Sequence, residues 1–273
     1  MSYKSILVNL DIDGPIVPVV KAALDLARRS EAKLIGICAA DIPLPMVMEE
    51  GSALAARMWE QMREDVGKRL KDVHAEFNQL TAGSVETEWR DDVTNPTHAV
   101  VAASRLADLV VMAASEGAST GDAYRFADPA SVALRAGRPL LVVASKAEQV
   151  PARKVVVAWK DTREARRAVT DAVPLLASAD EVTVVSVVAQ VDQWAREGAT
   201  DVVAFLAAHG VKAKPKLIEG PDEHLMLFQF LDESAADLVV SGAYGHSRLR
   251  EWVFGGVTRS LLDETRLNRF MSS

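Results

Sequence analysis

Cysteine is almost absent from this chain: Cys38 is the single cysteine in 273 residues, so no disulfide can form within the chain. Apolar runs are also short, and none approaches the roughly 20 residues that a membrane-spanning helix needs. The first residues enter a predicted strand at once and show no signal-peptide pattern. We therefore expect a cytoplasmic protein that does not bind membranes.

An excess of positive charge is missing as well. The chain has 31 lysines and arginines against 38 aspartates and glutamates, which gives a net charge of −7 at pH 7. Nucleic acids and anionic membrane surfaces attract basic proteins, so this balance predicts neither as a partner. The hydrophobic fraction of 49% is typical of a globular protein, and the length fits two domains of ordinary size.

The usual signatures of catalysis are lacking too. No nucleophile elbow, no Ser-His-Asp order and no pair of catalytic carboxylates can be argued from the sequence. Histidines and acids do not recur at the spacing of a metal site. We therefore name no catalytic or metal-ligating residue, and enzymatic activity stays an open question.

One segment of the chain occurs twice. Residues 107–115 and 236–244 share the run Ala-Asp-Leu-Val-Val, and the strands that open at Lys4 and Lys154 form a second matching pair. Such internal similarity indicates a duplicated domain. The copies differ in spacing, because the first carries about 20 more residues between its second and third predicted strands.

Predicted strands alternate with predicted helices in both copies, which indicates an α/β fold with parallel sheets. We predict two tandem doubly wound domains, at 1–146 and 153–273, with a helical insertion at about 41–80. The tail Leu267–Met271 takes the place of a fifth strand, although its residues are poor strand formers.

Glycines cluster after the fourth strand of the second copy. Gly242, Gly245 and Gly255 are spaced Gly-x2-Gly-x9-Gly, and Gly256 follows before a predicted helix at Val257. Glycine lets a backbone approach a ligand closely, and amides at the start of a helix attract anions. Open α/β sheets bind ligands at the carboxyl ends of their strands. The cluster therefore predicts a site for a nucleotide phosphate.

Two five-strand copies with this glycine loop resemble a tandem universal stress protein, and the resemblance covers essentially the whole chain. It implies the Rossmann-like fold of adenine nucleotide α-hydrolases, with two fifth strands paired antiparallel in a pseudo-dimer within the chain. Many members of that family bind ATP or a related adenine nucleotide. By resemblance, the ribose would lie near Gly242 and the adenine near Val187 or Val188. The phosphates would contact backbone groups of Gly245, Gly255, Gly256 and Val257.

The second copy departs from the family pattern at two positions. Gly256 stands where serine or threonine is usual, and Thr258 could supply the hydroxyl instead. Lys160 replaces the aspartate that usually ends the first strand, and its charge would favour a polyphosphate. Arg248 within the loop could clamp a phosphate through bidentate hydrogen bonds or could simply face solvent.

The first copy departs in the opposite way. It keeps the acid, Asp11, but its loop has decayed to Ala113-Ala-Ser-Glu-Gly117. If Glu116 lay about 4 Å from a phosphate charge, repulsion would cost about 4 kcal/mol at an effective dielectric of 20. That exceeds the roughly 2.7 kcal/mol of a hundredfold change in affinity. We therefore expect no nucleotide in the first domain.

These observations predict a stress-response protein whose second domain senses an adenine nucleotide, with or without Mg²⁺. Two alternatives remain: an interaction module that works without nucleotide, and a slow ATP hydrolase. Self-association through sheet edges or helix contacts also stays open.

Overall fold

The structure, a computed structural model, describes residues 2–43, 52–114, 122–145, 147–244 and 257–273. Within these ranges the chain forms ten strands and eight α-helices. The strands are β1 Ser5–Asn9, β2 Lys33–Ala39, β3 Thr87–Asp92, β4 Leu109–Ala113, β5 Leu140–Val143, β6 Lys154–Ala158, β7 Glu181–Val188, β8 Ala213–Glu219, β9 Leu238–Gly242 and β10 Asn268–Ser272. The helices are α1 Ile16–Ser30, α2 Ser52–Thr81, α3 Pro96–Ala103, α4 Pro129–Arg135, α5 Arg163–Leu176, α6 Gln193–Ala208, α7 Glu223–Ser234 and α8 Val257–Asp263.

All ten strands belong to one sheet, in the order β3-β2-β1-β4-β5-β10-β9-β6-β7-β8. The second five strands repeat the order of the first five when they are followed from β8 inward. Every neighbouring pair is parallel except β5 and β10, which run antiparallel with Phe270 opposite Leu141. The predicted α/β fold and its intrachain pseudo-dimer are therefore confirmed.

The tail forms a regular strand despite its weak strand propensity. Strand β10 pairs with β9 over its whole length, from Asn268 opposite Leu238 to Ser272 opposite Gly242. Its other side pairs with β5. Because strand preference depends strongly on context, two ready-made partners outweigh the local sequence.

Helices cover both faces of the sheet, so the inner strands are apolar on both sides. Val155 and Val157 of β6 face one core with α1, α2, α5 and α6, whereas Val156 faces the other core. The second core contains α3, α4, α7 and α8. The sequence signals at helix starts also hold, since the Asn95 side chain accepts a hydrogen bond from the His98 N–H and Pro96 opens α3.

The two outer edges of the sheet, β3 and β8, carry mostly exposed residues. Strand β8 contains Pro215, which cannot donate to a neighbouring strand, and both edges are rich in charge. Such features oppose pairing with a further strand. No helix in the described ranges is long and apolar enough to cross a membrane.

Candidate functional site

The second copy has a topological switch point between β6 and β9. These strands are neighbours, but β6 leads on to β7 on one side and β9 leads to β10 on the other. A crevice at the carboxyl ends of such strands is the usual ligand position in this fold class. Gly242, at the end of β9, and Lys160, after β6, both lie at the carboxyl ends of these two strands. Val187 lies one strand further out, near the end of β7.

Four predicted site residues, Gly245, Arg248, Gly255 and Gly256, lie outside the described residues, but both flanks of their segment are described. Thr258 is buried, and its Oγ1 accepts a hydrogen bond from the Tyr244 N–H at 3.3 Å. Tyr244 adopts a left-handed backbone with φ of 62°, which is uncommon for a residue other than glycine. The hydroxyl of Thr258 thus holds together the two ends of the glycine segment, a role that the sequence did not reveal.

Gly242 has a steric reason to be glycine. A Cβ at this position would lie 2.6 Å from the Ala165 nitrogen and 2.8 Å from the Glu164 carbonyl carbon. Both atoms belong to the first turn of α5, which packs closely against the end of β9. This close packing by itself explains why residue 242 is glycine, with no need for its backbone to approach a ligand.

Lys160 has a partner in the protein. Its Nζ lies 2.8 Å from Glu223 Oε2, and the two side chains are 50% and 42% exposed. The pair joins the end of β6 to the first residue of α7. Exposed ion pairs contribute about 1 kcal/mol or less, so a polyphosphate could replace Glu223 as the partner of the ammonium group.

At the carboxyl ends of the equivalent strands in the first copy, the carboxylate of Asp11 forms hydrogen bonds within the protein. Asp11 is 8% exposed, and its Oδ1 accepts hydrogen bonds from Asn9 Nδ2 and the Ala127 N–H, both at 2.9 Å. Burial raises the pKa of Asp11 to about 6, although the two hydrogen bonds act in the opposite direction. Asp11 thereby holds the segment before α4 against the end of β1. Asp13, two residues on, pairs with Arg125 of the same segment.

The start of α4 is capped by a carboxylate. Asp128 accepts hydrogen bonds from the Ala130 N–H at 3.2 Å and the Ser131 N–H at 3.0 Å. Asp128 thereby satisfies two of the free amides in the first turn of α4. Glu116, the residue expected to repel a phosphate, lies outside the described residues. Among those that are described, no group of three or more His, Cys, Asp or Glu side chains could hold a metal ion.

Comparison with known proteins identifies the fold. No protein-family model matches the chain, and no curated protein matches it in sequence. A universal stress protein from Archaeoglobus fulgidus DSM 4304 is similar in structure, with a TM-score of 0.77 and 14% identity over 98% of this chain and 96% of that one. A protein of unknown function from Pseudomonas aeruginosa PAO1 has a TM-score of 0.59 and 15% identity over 98% of this chain and 92% of its own. The chain therefore has the fold of a tandem universal stress protein.

Proposed function

We propose that the second copy binds an adenine nucleotide at the switch point between β6 and β9, and that the protein is a cytoplasmic stress-response protein regulated by this binding. The observation that carries the proposal is the hydrogen bond from the Tyr244 N–H to Thr258 Oγ1. It places both ends of the glycine segment side by side at the carboxyl edge where ligands bind in this fold class. In this proposal, the phosphates are assigned to backbone amides of Gly245, Gly255, Gly256 and Val257.

The difference between the two copies supports the same assignment. In the first copy, Asp128 caps α4 and Asp11 accepts a hydrogen bond from the Ala127 N–H. Side-chain carboxylates of the protein therefore already bind backbone N–H donors at the C-terminal ends of its strands. The second copy instead has two cations, Lys160 after β6 and Arg248 within the sequence of the glycine segment. A polyphosphate is therefore expected to bind the second copy and not the first.

The proposed role is sensing rather than catalysis. An adenine base would lie against the partly buried Val187, and the Lys160 ammonium would exchange Glu223 for a phosphate. Because Glu223 is the first residue of α7, this exchange would change a contact between the site and a neighbouring helix. Ligand occupancy would thereby be communicated to the protein surface.

Calorimetric titration with ATP, ADP and AMP tests the proposal. We expect Gly245→Glu to abolish binding, because it adds a carboxylate to the phosphate segment. Gly67→Glu is a matched control, since it adds the same charge on α2, where a Cβ would meet no atom within 4 Å. Absence of heat and of any thermal shift with millimolar nucleotide would refute the proposal. Bound ligand at 100 times its Kd should stabilise the protein by about 2.7 kcal/mol.

Phosphate release distinguishes a sensor from a slow hydrolase. If ATP is hydrolysed by the wild-type protein and not by Gly245→Glu, the site is catalytic and the sensing role is wrong. Equal release by both proteins would identify a contaminating activity.

A further inference from the structure

A cleft of about 470 Å³ opens between α5 and α6, apart from the proposed nucleotide residues. Its apolar lining includes Trp159, Val169 and Val202, and two further aromatic side chains, Trp194 and Phe205, belong to α6. We call this the α5–α6 cleft. Its volume lies within the roughly 300–1,000 Å³ that small-molecule sites occupy. None of the residues predicted to bind nucleotide lines it.

The cleft exists because the two copies differ in this layer. In the first copy, α1 packs directly against the 30-residue α2, whereas the corresponding α6 has 16 residues. On α6, Gly198 has no side chain to fill the gap: a Cβ there would lie 3.7 Å from the indole Nε1 of Trp159. Trp194 is 70% exposed at the start of the helix. This large apolar surface has no cover among the described residues.

The polar lining of the cleft is acidic. Three carboxylates, Asp161, Glu197 and Asp201, line it together with one guanidinium, Arg166. Arg166 is already paired with Asp161, with Nη2 2.6 Å from Oδ1. Glu197 accepts a hydrogen bond from the neutral amide of Gln193 at 2.7 Å. Within the described ranges, neither Glu197 nor Asp201 forms an ion pair, so two negative charges remain uncompensated beside the aromatic rings.

We propose that the α5–α6 cleft binds a small organic cation, an ammonium group attached to an apolar body. Carboxylates attract the ammonium group directly, and the faces of tryptophan rings attract cations through their quadrupole. The apolar body would fill the space against Val169 and Val202. An anionic ligand of the same shape would meet the charges of Glu197 and Asp201 and bind weakly. The nucleotide proposal is independent, because it uses different residues.

Three probes that share one phenylalkyl body test the charge preference in the full-length protein. They are phenethylamine, which is cationic at pH 7, the neutral 2-phenylethanol, and the anionic 3-phenylpropanoate. Binding is followed by titration calorimetry and by the indole N–H signals of Trp159 and Trp194 in NMR spectra. We expect phenethylamine to bind at least tenfold more tightly than 3-phenylpropanoate and to shift both indole signals.

Variants locate the binding. Gly198→Leu fills the cleft and should abolish binding, and Trp194→Ala should weaken it at least threefold without unfolding, because Trp194 is mostly exposed. The double variant Glu197→Gln with Asp201→Asn should weaken phenethylamine binding about threefold to tenfold, as expected when charges in a partly hydrated site are removed. Glu233→Gln removes an exposed carboxylate on α7 and should change nothing.

Several results would overturn the proposal. Equal binding of all three probes would show that charge does not select the ligand, and no binding at 10 mM phenethylamine would remove the site. Unchanged affinity in both Gly198→Leu and Trp194→Ala would place any binding elsewhere. A dimer in sedimentation velocity that Trp194→Ala dissociates would assign the cleft to a second copy of the chain instead.

Discussion

Asp11 should make the stability of this protein fall as the pH rises from about 4 to 6. Its carboxyl group is buried at the end of β1, and this burial raises its pKa from the ordinary 3.8 to about 6. Between these two pH values the folded chain holds a proton that the unfolded chain has released. Higher pH therefore favours unfolding, and the favourable contribution of the protonated group, complete below pH 3.8, is lost by about pH 6.

The size of the effect follows from the pKa difference. From 3.8 to about 6 is roughly 2 pH units, and each corresponds to about 1.4 kcal/mol, so the total is about 3 kcal/mol. Asp11→Asn removes the ionisation but keeps an oxygen that can accept from Asn9 and Ala127. We expect its stability relative to wild type to increase by about 1 kcal/mol from pH 4 to 5 and to level off above pH 6.

Urea unfolding of wild type and Asp11→Asn at pH values from 4 to 8 measures this difference. Exchanged hydrogen bonds add an offset that does not vary with pH, so the change with pH is the diagnostic quantity. Asp13→Asn is the control, because the hydrogen bond from Arg125 lowers the pKa of Asp13. Its stabilising contribution is present above the ordinary pKa and is lost as the pH falls. A constant difference between wild type and Asp11→Asn over this range would refute the reasoning.

Three further substitutions have expected effects on the urea midpoint. Gly242→Ala should destabilise the protein by about 1–3 kcal/mol, because its Cβ would overlap the Ala165 nitrogen in a well-packed contact. Thr258→Val should cost about 1 kcal/mol by removing the hydrogen bond between Thr258 Oγ1 and the Tyr244 N–H, and it should weaken ATP binding in calorimetry. Phe270→Ala should cost about 3–5 kcal/mol, with one unfolding transition for both copies, because this fully buried residue lies on the strand that joins them.

Matched variants separate these effects from general damage. Gly67→Ala, in an open helical position, should stabilise by up to about 1 kcal/mol, and an equal loss there would contradict the steric account of Gly242. Thr258→Ser keeps the hydroxyl and should retain most of the stability. Two separate transitions in Phe270→Ala, with the first copy unaffected, would show that β5 and β10 do not couple the copies.

The helix and strand layout could be predicted from sequence because its signals are local. The repeated Ala-Asp-Leu-Val-Val run marks a buried strand in each copy. Asn95 before Pro96 marks a helix start through groups that lie within a few residues of each other. The Gly-x2-Gly-x9-Gly spacing likewise suggested a phosphate segment, and that assignment stays a prediction.

Other features were decided by contacts between distant parts of the chain. The tail became β10 because β5 and β9 both offered it hydrogen-bonding edges. The backbone of α5 lies too close to Gly242 for a side chain at that position. The carboxylate of Asp11 accepts a hydrogen bond from Ala127, in the segment before α4. Neither contact can be predicted from the residues next to it in the sequence, because its partner lies far away along the chain.

The sequence alone thus determined two α/β copies and where most of their strands would form, because hydrophobic periodicity acts over a few residues. The family resemblance implied how the copies join, whereas only the tertiary structure decided which acids are already engaged and where α5 and α6 leave a cleft. These outcomes depend on distances between elements, which packing sets and no short stretch of sequence contains.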